Sequence, residues 1–238
     1  MATNNGFTVW ITGMPGSGKS SLAEYVAARL KQVNRGYEVI DEPEFAEAMD
    51  LSVGTTKDER MGMGRRMGVV ADLLSRNGTA TLVASVSPYR ALRDANRRLI
   101  PRYVEVFVDC DTNVVISRDK TGKARKALNG ENPHFIGITE PYEAPVGAEV
   151  VVRSHEESIE QGGLKIFQAL LDLGYVTAEE LKTITGTKWK PNPVKKKAAG
   201  NAARARPAAR MARVPAKPAK PAKPAKAAKP VKAAPKRK

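Results

Sequence analysis

An eight-residue stretch near the start of the chain constrains the fold more than any other feature. It reads Gly-Met-Pro-Gly-Ser-Gly-Lys-Ser over residues 13–20 and fits the pattern G-x-x-x-x-G-K-[ST]. An apolar run precedes it at 7–12, and a segment with apolar residues at helical spacing follows it at 21–30. A strand, a glycine loop and a helix in this order predict a phosphate-binding P-loop.

The residue types of this stretch suit a nucleotide triphosphate. Glycines let backbone N–H groups turn toward a phosphate without a Cβ in the way, and the following helix N-terminus adds unpaired N–H groups. Lys19 is expected to reach the β- and γ-phosphates, and the Ser20 hydroxyl is expected to hold Mg²⁺. The sequence therefore predicts ATP and Mg²⁺ as cofactors. The nucleotide-binding residues predicted here are Gly13, Gly16, Ser17, Gly18, Lys19, Ser20 and Ser21.

Strand and helix patterns alternate along the rest of the body. Apolar segments at 38–40, 79–85, 104–109 and 148–152 read as strands, and segments with helical periodicity lie between and after them. This alternation predicts an α/β protein of P-loop NTPase type, with three layers and a mostly parallel sheet flanked by helices. Residues 120–142 are polar and loop-rich, and their length is typical of a lid.

Asp41 is the carboxylate of greatest interest in this arrangement. Ligands of parallel α/β sheets bind beyond the carboxyl ends of the strands, which places Asp41 on the same rim as the P-loop. There it could orient an acceptor hydroxyl, accept its proton, or hold Mg²⁺ through water. A helix N-cap or loop aspartate explains the same position, and the sequence leaves both interpretations open.

Charge divides the chain into two parts. From Lys195 to Lys238 there are 16 Lys or Arg and no acid, which leaves 24 basic residues against all 25 acidic ones in 1–194. We therefore expect a near-neutral domain at 1–190 and a disordered basic tail, rich in Lys, Ala and Pro, at 191–238.

The tail has a regular spacing. Six lysines, at 217, 220, 223, 226, 229 and 232, recur every third residue. In polyproline II this spacing lines them along one edge, which suits non-specific binding of nucleic acid or another polyanion. The tail resembles those of histone H1-like bacterial proteins. A solvated tail that affects only solubility is the alternative.

The remaining composition indicates the compartment. The single cysteine, Cys110, cannot form an internal disulfide, which fits a reducing environment, and it is expected to be a core thiol. The first residues lack the pattern of a secretory leader, and no apolar stretch approaches membrane-spanning length. We expect a cytoplasmic protein that does not contact membranes.

Several further motifs, taken with the P-loop, resemble the adenylylsulfate (APS) kinase family. They are Ser-Pro-Tyr-Arg at 87–90, Glu-Val-Phe-Val-Asp at 105–109, Arg-Asp at 118–119, Phe-Ile-Gly-Ile at 135–138 and Pro-Tyr-Glu-Ala-Pro at 141–145. The last two are similar to the family's F-T-G-I…P-Y-E-A-P, and the resemblance covers nearly all of the body.

The resemblance implies a reaction in which ATP and APS give ADP and 3′-phospho-APS with Mg²⁺. It implies that Arg60 pairs with the phosphosulfate of the acceptor, that Phe135 stacks on its adenine, and that Pro88 lies in the same pocket. Ser87 matches a serine that is described in the family as a phosphoserine intermediate. We expect direct in-line transfer, with Lys19, Asp41 and Ser87 as the catalytic residues, and we expect Ser87 to shape the acceptor pocket.

The resemblance also implies additional nucleotide contacts and a quaternary state. Arg118 is expected to contact the nucleotide, and Arg125 in the lid to close over its phosphates. Proteins of this family are often dimeric, so a homodimer is expected.

The chain departs from the family pattern on the acceptor side. The family's D-G-D-x-x-R appears here as Asp-Glu-Pro-Glu-Phe-Ala at 41–46, so that Pro43 and Ala46 replace an acid and an arginine. Thr55 replaces an aromatic residue and Met63 an asparagine. Two alternatives to APS kinase activity follow. One is a P-loop kinase with a different small-molecule or nucleotide acceptor, and the other is a weakly active nucleotide-binding module that the tail recruits to nucleic acid.

Overall fold

The computed structural model describes residues 6–186, which form one α/β body built on a parallel sheet. The five strands lie in the order β2-β3-β1-β4-β5, and every neighbouring pair is parallel. Their bounds are Phe7–Thr12 (β1), Tyr37–Asp41 (β2), Ala80–Ala84 (β3), Tyr103–Asp109 (β4) and Val150–Arg153 (β5). The predicted fold class is confirmed. The predicted tail at 191–238 lies outside the described residues.

Helices cover both faces of the sheet. Their bounds are Lys19–Gln32 (α1), Glu42–Ala48 (α2), Lys57–Arg76 (α3), Arg90–Leu99 (α4), Thr112–Arg118 (α5), Lys123–Leu128 (α6), Ile159–Asp172 (α7) and Ala178–Gly186 (α8). The segment predicted as a lid is less irregular than expected, because α6 lies within it. None of the helices in residues 6–186 combines the length and the apolar character that a membrane crossing requires.

Strand β1 separates two apolar cores. All six of its residues are buried, as expected for the middle strand of a covered sheet. Phe7, Val9 and Ile11 pack into the core that includes α1 and α7, whereas Trp10 points to the opposite face. This alternation follows from the two-residue period of a strand. It places the P-loop, which continues β1, at the centre of the sheet.

Helix starts are set by capping residues that periodicity does not reveal. Helix α3 begins at Lys57, two residues before Glu59, where helical periodicity predicts its start. The Thr56 hydroxyl accepts a hydrogen bond from the Glu59 N–H, and the Glu59 carboxylate accepts one from the Thr56 N–H. Ser158 and Gln161 form the same kind of cap for α7. Cys110 is buried, as predicted.

Helices α3 and α4 approach each other closely through glycine. A Cβ on Gly64 would lie 2.2 Å from the Leu92 side chain, and one on Gly68 would lie 2.4 Å from Asn96 Oδ1. Asn96 also donates its Nδ2 to the Gly64 carbonyl at 3.3 Å. The pair of glycines therefore sets the distance at which α4 docks, and α4 follows the loop that borders the site.

We expect Gly68→Ala to lower the free energy of unfolding by about 1–3 kcal/mol, because the added methyl group overpacks the α3–α4 contact. Gly62→Ala in the same helix is the matched control, since only the flexible end of Arg66 lies near its Cβ position. That change should be neutral or stabilise by up to about 1 kcal/mol through the higher helix propensity of alanine. Urea denaturation of both variants measures the difference, and equal unfolding free energies would contradict the packing argument.

Candidate active site

The P-loop takes a backbone path that only glycine follows easily. Gly16 and Gly18 have φ values of 79° and 102°, in the left-handed region. Gly18 is the N-cap of α1 and makes no side-chain cap, so that the first N–H groups of the helix remain available to a ligand. The loop therefore presents backbone donors at a helix N-terminus, which is the arrangement that binds phosphate groups.

The Lys19 side chain contacts the backbone of this loop. Its Nζ donates to the Met14 carbonyl at 2.9 Å, and the residue is buried. Burial lowers the pKa of Lys19 to about 8, although the nearby carboxylates Glu42 and Asp41 favour its charged form. The ammonium is thus held in place by the loop, before any ligand binds.

Ser20 and Asp41 meet at the end of β2. The Ser20 hydroxyl donates to Asp41 Oδ2 at 2.5 Å. Asp41 stands at the N-cap position of α2, as the alternative interpretation predicted, but its side chain makes no capping hydrogen bond. A hydroxyl and a carboxylate that converge in this way are oxygen ligands of the kind Mg²⁺ prefers, so the residues present fit the expected cation.

Glu42 and Glu44 follow Asp41 but differ in position. Glu42 is buried, and its Oε2 accepts hydrogen bonds from the Val86 N–H at 2.7 Å and from Ser85 Oγ at 3.1 Å. Burial raises the pKa of Glu42, against the effect of these hydrogen bonds and of Lys19. Glu44 is exposed to solvent. Only the first of the two glutamates therefore belongs to the site.

Ser87 lies in a tightly bonded segment after β3. Its Oγ accepts a hydrogen bond from Trp10 Nε1 at 3.1 Å and lies 2.7 Å from Ser85 Oγ. Its carbonyl accepts from the Arg93 guanidinium at 2.6 Å, and its φ of 39° is left-handed. With 1% of its surface exposed, the Ser87 hydroxyl faces the protein interior.

Arg93 connects this segment to the strap at 141–145. Besides Ser87, it donates to the Glu143 carbonyl at 2.5 Å and to Glu105 at 2.7 Å. Periodicity could not reveal this role, because an arginine on a basic helix is expected to face water. The signal that could have found it is the acidic Glu105 in an otherwise apolar strand, since a buried acid needs a partner.

Tyr142 anchors the same strap. Thr12 Oγ1 donates its one proton to the Val86 carbonyl at 2.8 Å, so the Tyr142 hydroxyl must donate to Thr12 Oγ1 at 2.8 Å. Burial raises the pKa of Tyr142 to about 12, which keeps this donor protonated. The ring also stacks on Phe107 at a centroid distance of 5.8 Å. These contacts therefore join the strap to β1 and to the segment that contains Ser87.

Arg60, on α3, contacts the segment that precedes the strap. It is buried, donates to the Glu140 carboxylate, and reaches the His134 carbonyl at 2.9 Å. Phe135 follows His134, and its carbonyl accepts hydrogen bonds from the N–H groups of the turn that ends at Glu140. The structure thus brings together two residues expected to bind the acceptor.

The two arginines predicted to contact nucleotide differ in position. Arg118 donates to the Ser154 carbonyl at 2.8 Å and lines a cavity of about 410 Å³ that also borders Gly16, Gly18 and Ser21. Arg125 is exposed on α6 and does not line that cavity. In the described conformation only the first arginine lies beside the P-loop.

Comparisons with known proteins identify the family. The model of the Adenylylsulphate kinase family matches residues 5–153. The chain belongs to this family. The adenylyl-sulfate kinase of Rippkaea orientalis is 39% identical over 171 residues, covering 72% of this chain and 94% of that protein. A solved structure of the Mycobacterium tuberculosis APS kinase, in complex with AMPPNP and APS, is 32% identical with a TM-score of 0.66, covering 69% of this chain and 97% of that one.

Another relative is larger. The probable bifunctional SAT/APS kinase 2 of Sorangium cellulosum is 43% identical over 172 residues, which cover 72% of this chain but only 30% of that protein. The chain thus spans less than a third of this relative.

Three of the four departures from the adenylylsulphate kinase pattern fit their places in the structure. Ala46 and Met63 are buried together in the apolar core on the Trp10 face, where a charged or amide group would need a partner. Pro43 stands in the first turn of α2, where a missing N–H loses no helical hydrogen bond. The structure gives no reason for Thr55, whose backbone N–H donates to the Glu59 carboxylate in the α3 cap. The positions of two departures, Ala46 and Met63, are therefore part of an apolar core.

We expect Arg93→Met to lower the free energy of unfolding by about 3 kcal/mol, because it leaves the buried Glu105 with only one of its two arginine partners. The matched control is Arg97→Met, which removes the other, partly exposed partner of Glu105 and should cost about 1 kcal/mol. Urea denaturation at pH 7 compares the two. A larger loss for Arg97→Met would contradict the central place given to Arg93.

Proposed function

We propose that the protein is an ATP-dependent kinase that transfers the γ-phosphoryl group to the 3′-hydroxyl of adenylylsulfate, giving 3′-phosphoadenylylsulfate. The observation that carries the proposal is the convergence of Lys19, the Ser20–Asp41 pair and the Ser87 segment on one rim of the sheet. Membership in the adenylylsulphate kinase family supports it. So does the match over 94% of the Rippkaea orientalis adenylyl-sulfate kinase.

The nucleotide side follows from the P-loop. Its backbone donors, Lys19 and the cavity beside Arg118 suit the phosphates and the base of ATP. The complex of the Mycobacterium tuberculosis APS kinase contains AMPPNP and APS, which supports the same pair of ligands here. Ser20 and Asp41 would hold Mg²⁺, which supplies charge neutralisation for the phosphoryl group when it is bound.

Transfer is proposed to be direct and in line. Ser87 Oγ is buried and bonded to Trp10 and Ser85, and a phosphoryl group on it would have to displace both contacts. Positioning and charge neutralisation are the main requirements of phosphoryl transfer. Asp41, next to the cation site, is the group suited to orient or deprotonate the acceptor hydroxyl.

The acceptor is proposed to lie between α3 and the strap. Arg60 would pair with the phosphosulfate through a charge-assisted hydrogen bond, and Phe135 would stack on the adenine. Pro88 would lie on the strap side of this pocket, because its carbonyl accepts from the Glu143 N–H at 2.9 Å. Binding of the phosphosulfate would exchange the Arg60–Glu140 contact for one to the ligand.

We expect purified full-length protein with ATP, Mg²⁺ and APS to form 3′-phosphoadenylylsulfate and ADP, measured by chromatography of the nucleotides. Lys19→Ala should abolish turnover, because it removes the ammonium that is held against the P-loop. Asp41→Asn should lower kcat by about 100-fold and leave the Kd for ATP nearly unchanged, since its role is at the acceptor and the cation. Unchanged turnover in Lys19→Ala would refute the P-loop assignment, and normal kcat in Asp41→Asn would leave Asp41 a structural role.

A different acceptor is the second candidate. The burial of Ala46 and Met63 in an apolar core removes an arginine and an amide from the acceptor side. If wild-type protein binds ATP but gives no product with APS, a panel of nucleosides and small hydroxyl compounds in the same ADP-release assay would identify the acceptor.

We also propose that the tail at 191–238 forms a second part of the chain that contacts polyanions. Its support is that 16 of its residues are Lys or Arg and none is acidic.

The domain at 1–190, the cytoplasmic location and the homodimer stay predictions, to be tested by limited proteolysis, localisation and light scattering.

Deletion of residues 195–238 should abolish binding to double-stranded DNA of arbitrary sequence, because the remaining body has a net charge near zero. Full-length protein should bind such DNA with an affinity that falls steeply between 50 mM and 200 mM salt, as measured by fluorescence anisotropy. Equal DNA binding by both forms would contradict this role, and the kinase assay on the truncated form shows whether the tail affects catalysis.

A further inference from the structure

Glu42 is a buried carboxylate to which the proposed reaction assigns no task. It is the first residue of α2, directly after Asp41, and only 6% of its surface is exposed. Burying a carboxylate is unfavourable unless hydrogen bonds and nearby charge compensate. Its partners therefore indicate what the residue does.

Those partners bridge two neighbouring strands of the rim. Glu42 follows the end of β2, whereas Ser85 and Val86, which donate to its Oε2 at 3.1 Å and 2.7 Å, follow the end of β3. The two strands are paired in register at their ends, with Asp41 opposite Ala84. A single carboxylate oxygen thus connects the cation-site side of the rim to the loop that leads to α4.

Hydrogen counting gives this network a direction. A serine hydroxyl has one proton, and Ser85 donates its proton to Glu42. The 2.7 Å contact between Ser85 and Ser87 is therefore donated by Ser87, whose oxygen in turn accepts from Trp10 Nε1. The Glu42 carboxylate is the final acceptor of this chain and determines how the Ser87 hydroxyl is oriented.

The segment held in this way is conformationally strained. Ser87 has a φ of 39°, and a non-glycine residue keeps such a value only where its surroundings restrain it on several sides. Thr12 holds the Val86 carbonyl and Arg93 holds the Ser87 carbonyl. Glu42 accepts a hydrogen bond from the Val86 N–H and so adds a third restraint on the backbone of this segment.

We propose that Glu42 is a positioning residue that holds the segment 85–87 where phosphoryl transfer requires it, by accepting hydrogen bonds from the Val86 N–H and the Ser85 hydroxyl. It acts through the loop and does not touch the reacting atoms. The inference rests on the proposed function, because the segment borders the expected acceptor site. It concerns this chain in particular, since the family pattern D-G-D has glycine at the position of Glu42.

Three substitutions separate the hydrogen bonds from the charge. Glu42→Ala removes the acceptor oxygen. Glu42→Gln keeps a carbonyl oxygen at the same reach, able to accept both hydrogen bonds, but removes the charge. Glu44→Ala, in the exposed part of the same helix, is the matched control. Each variant and the wild type are assayed with ATP, Mg²⁺ and APS, and hydrogen–deuterium exchange follows the Val86 amide.

We expect Glu42→Ala to lower kcat by about 100-fold, because a displaced loop misaligns the acceptor, while the KM for ATP changes by less than about threefold. Glu42→Gln should stay within about threefold of the wild type in kcat, and Glu44→Ala should match the wild type. The Val86 amide should exchange faster in Glu42→Ala and at the wild-type rate in Glu42→Gln. If Glu42→Ala does not fold, Glu42→Asp takes its place, since a side chain one methylene shorter loses the same contacts.

Two results would overturn the inference. One is a kcat of Glu42→Ala within about threefold of the wild type, and the other is a Glu42→Gln variant as impaired as Glu42→Ala. Wild-type protein that does not phosphorylate APS would instead overturn the proposed function. In that case the exchange rates of the Val86 amide still test the positioning role of Glu42. Unequal rates in Glu42→Ala and Glu42→Gln support a restraint of the loop by Glu42, and equal rates refute it.

Discussion

The parallel pairing of β1 with both β3 and β4 is the constraint on which the site depends. Because parallel strands end at the same edge, this pairing brings the P-loop after Thr12, the segment after Ala84 and the end of β4 onto one rim. Strand β2 adds Asp41 through its register with β3. The residues at this rim follow four strands that are separated in sequence, and the hydrogen-bonded ladder brings these strand ends together.

Buried charge then sets the finer geometry of this rim. Lys19, Glu42, Arg60, Arg93 and Glu105 are all buried, and each has hydrogen-bond partners among the described residues. An unpaired buried charge is costly, so these groups keep their partners, and the hydrogen bonds of Lys19, Glu42 and Arg93 to backbone groups restrain loops. This explains how a loop with a left-handed serine and a strap of irregular backbone keep defined positions without regular secondary structure.

The two sides of the site differ in how far the chain follows its family. The nucleotide side keeps the complete P-loop with its lysine and serine, and Arg118 lines the cavity beside this loop. The acceptor side has lost polar groups to an apolar core and has gained the carboxylate of Glu42. The strap still joins this side to β1 through Tyr142 and Thr12. Changes in binding groups have therefore left the framework around them intact.

Much of this could be predicted from local pattern. The P-loop, the order of strands and helices, the parallel sheet and the place of Asp41 on the rim follow from short-range rules, because glycine spacing and apolar periodicity act over a few residues. The boundaries differ where capping side chains decide them, as at Thr56. The lid was predicted as loop, but α6 lies within it.

The sequence by itself determined the fold class, the nucleotide side of the site and the family. Only the tertiary structure decided that Glu42, and not Glu44, belongs to the site, that Ser87 faces the interior, and that Arg93 joins the loop to the strap. The physical reason is that burial and partner choice depend on residues distant in sequence. Two glutamates separated by one position have the same chemistry until the fold places one against the Val86 N–H and the other in water.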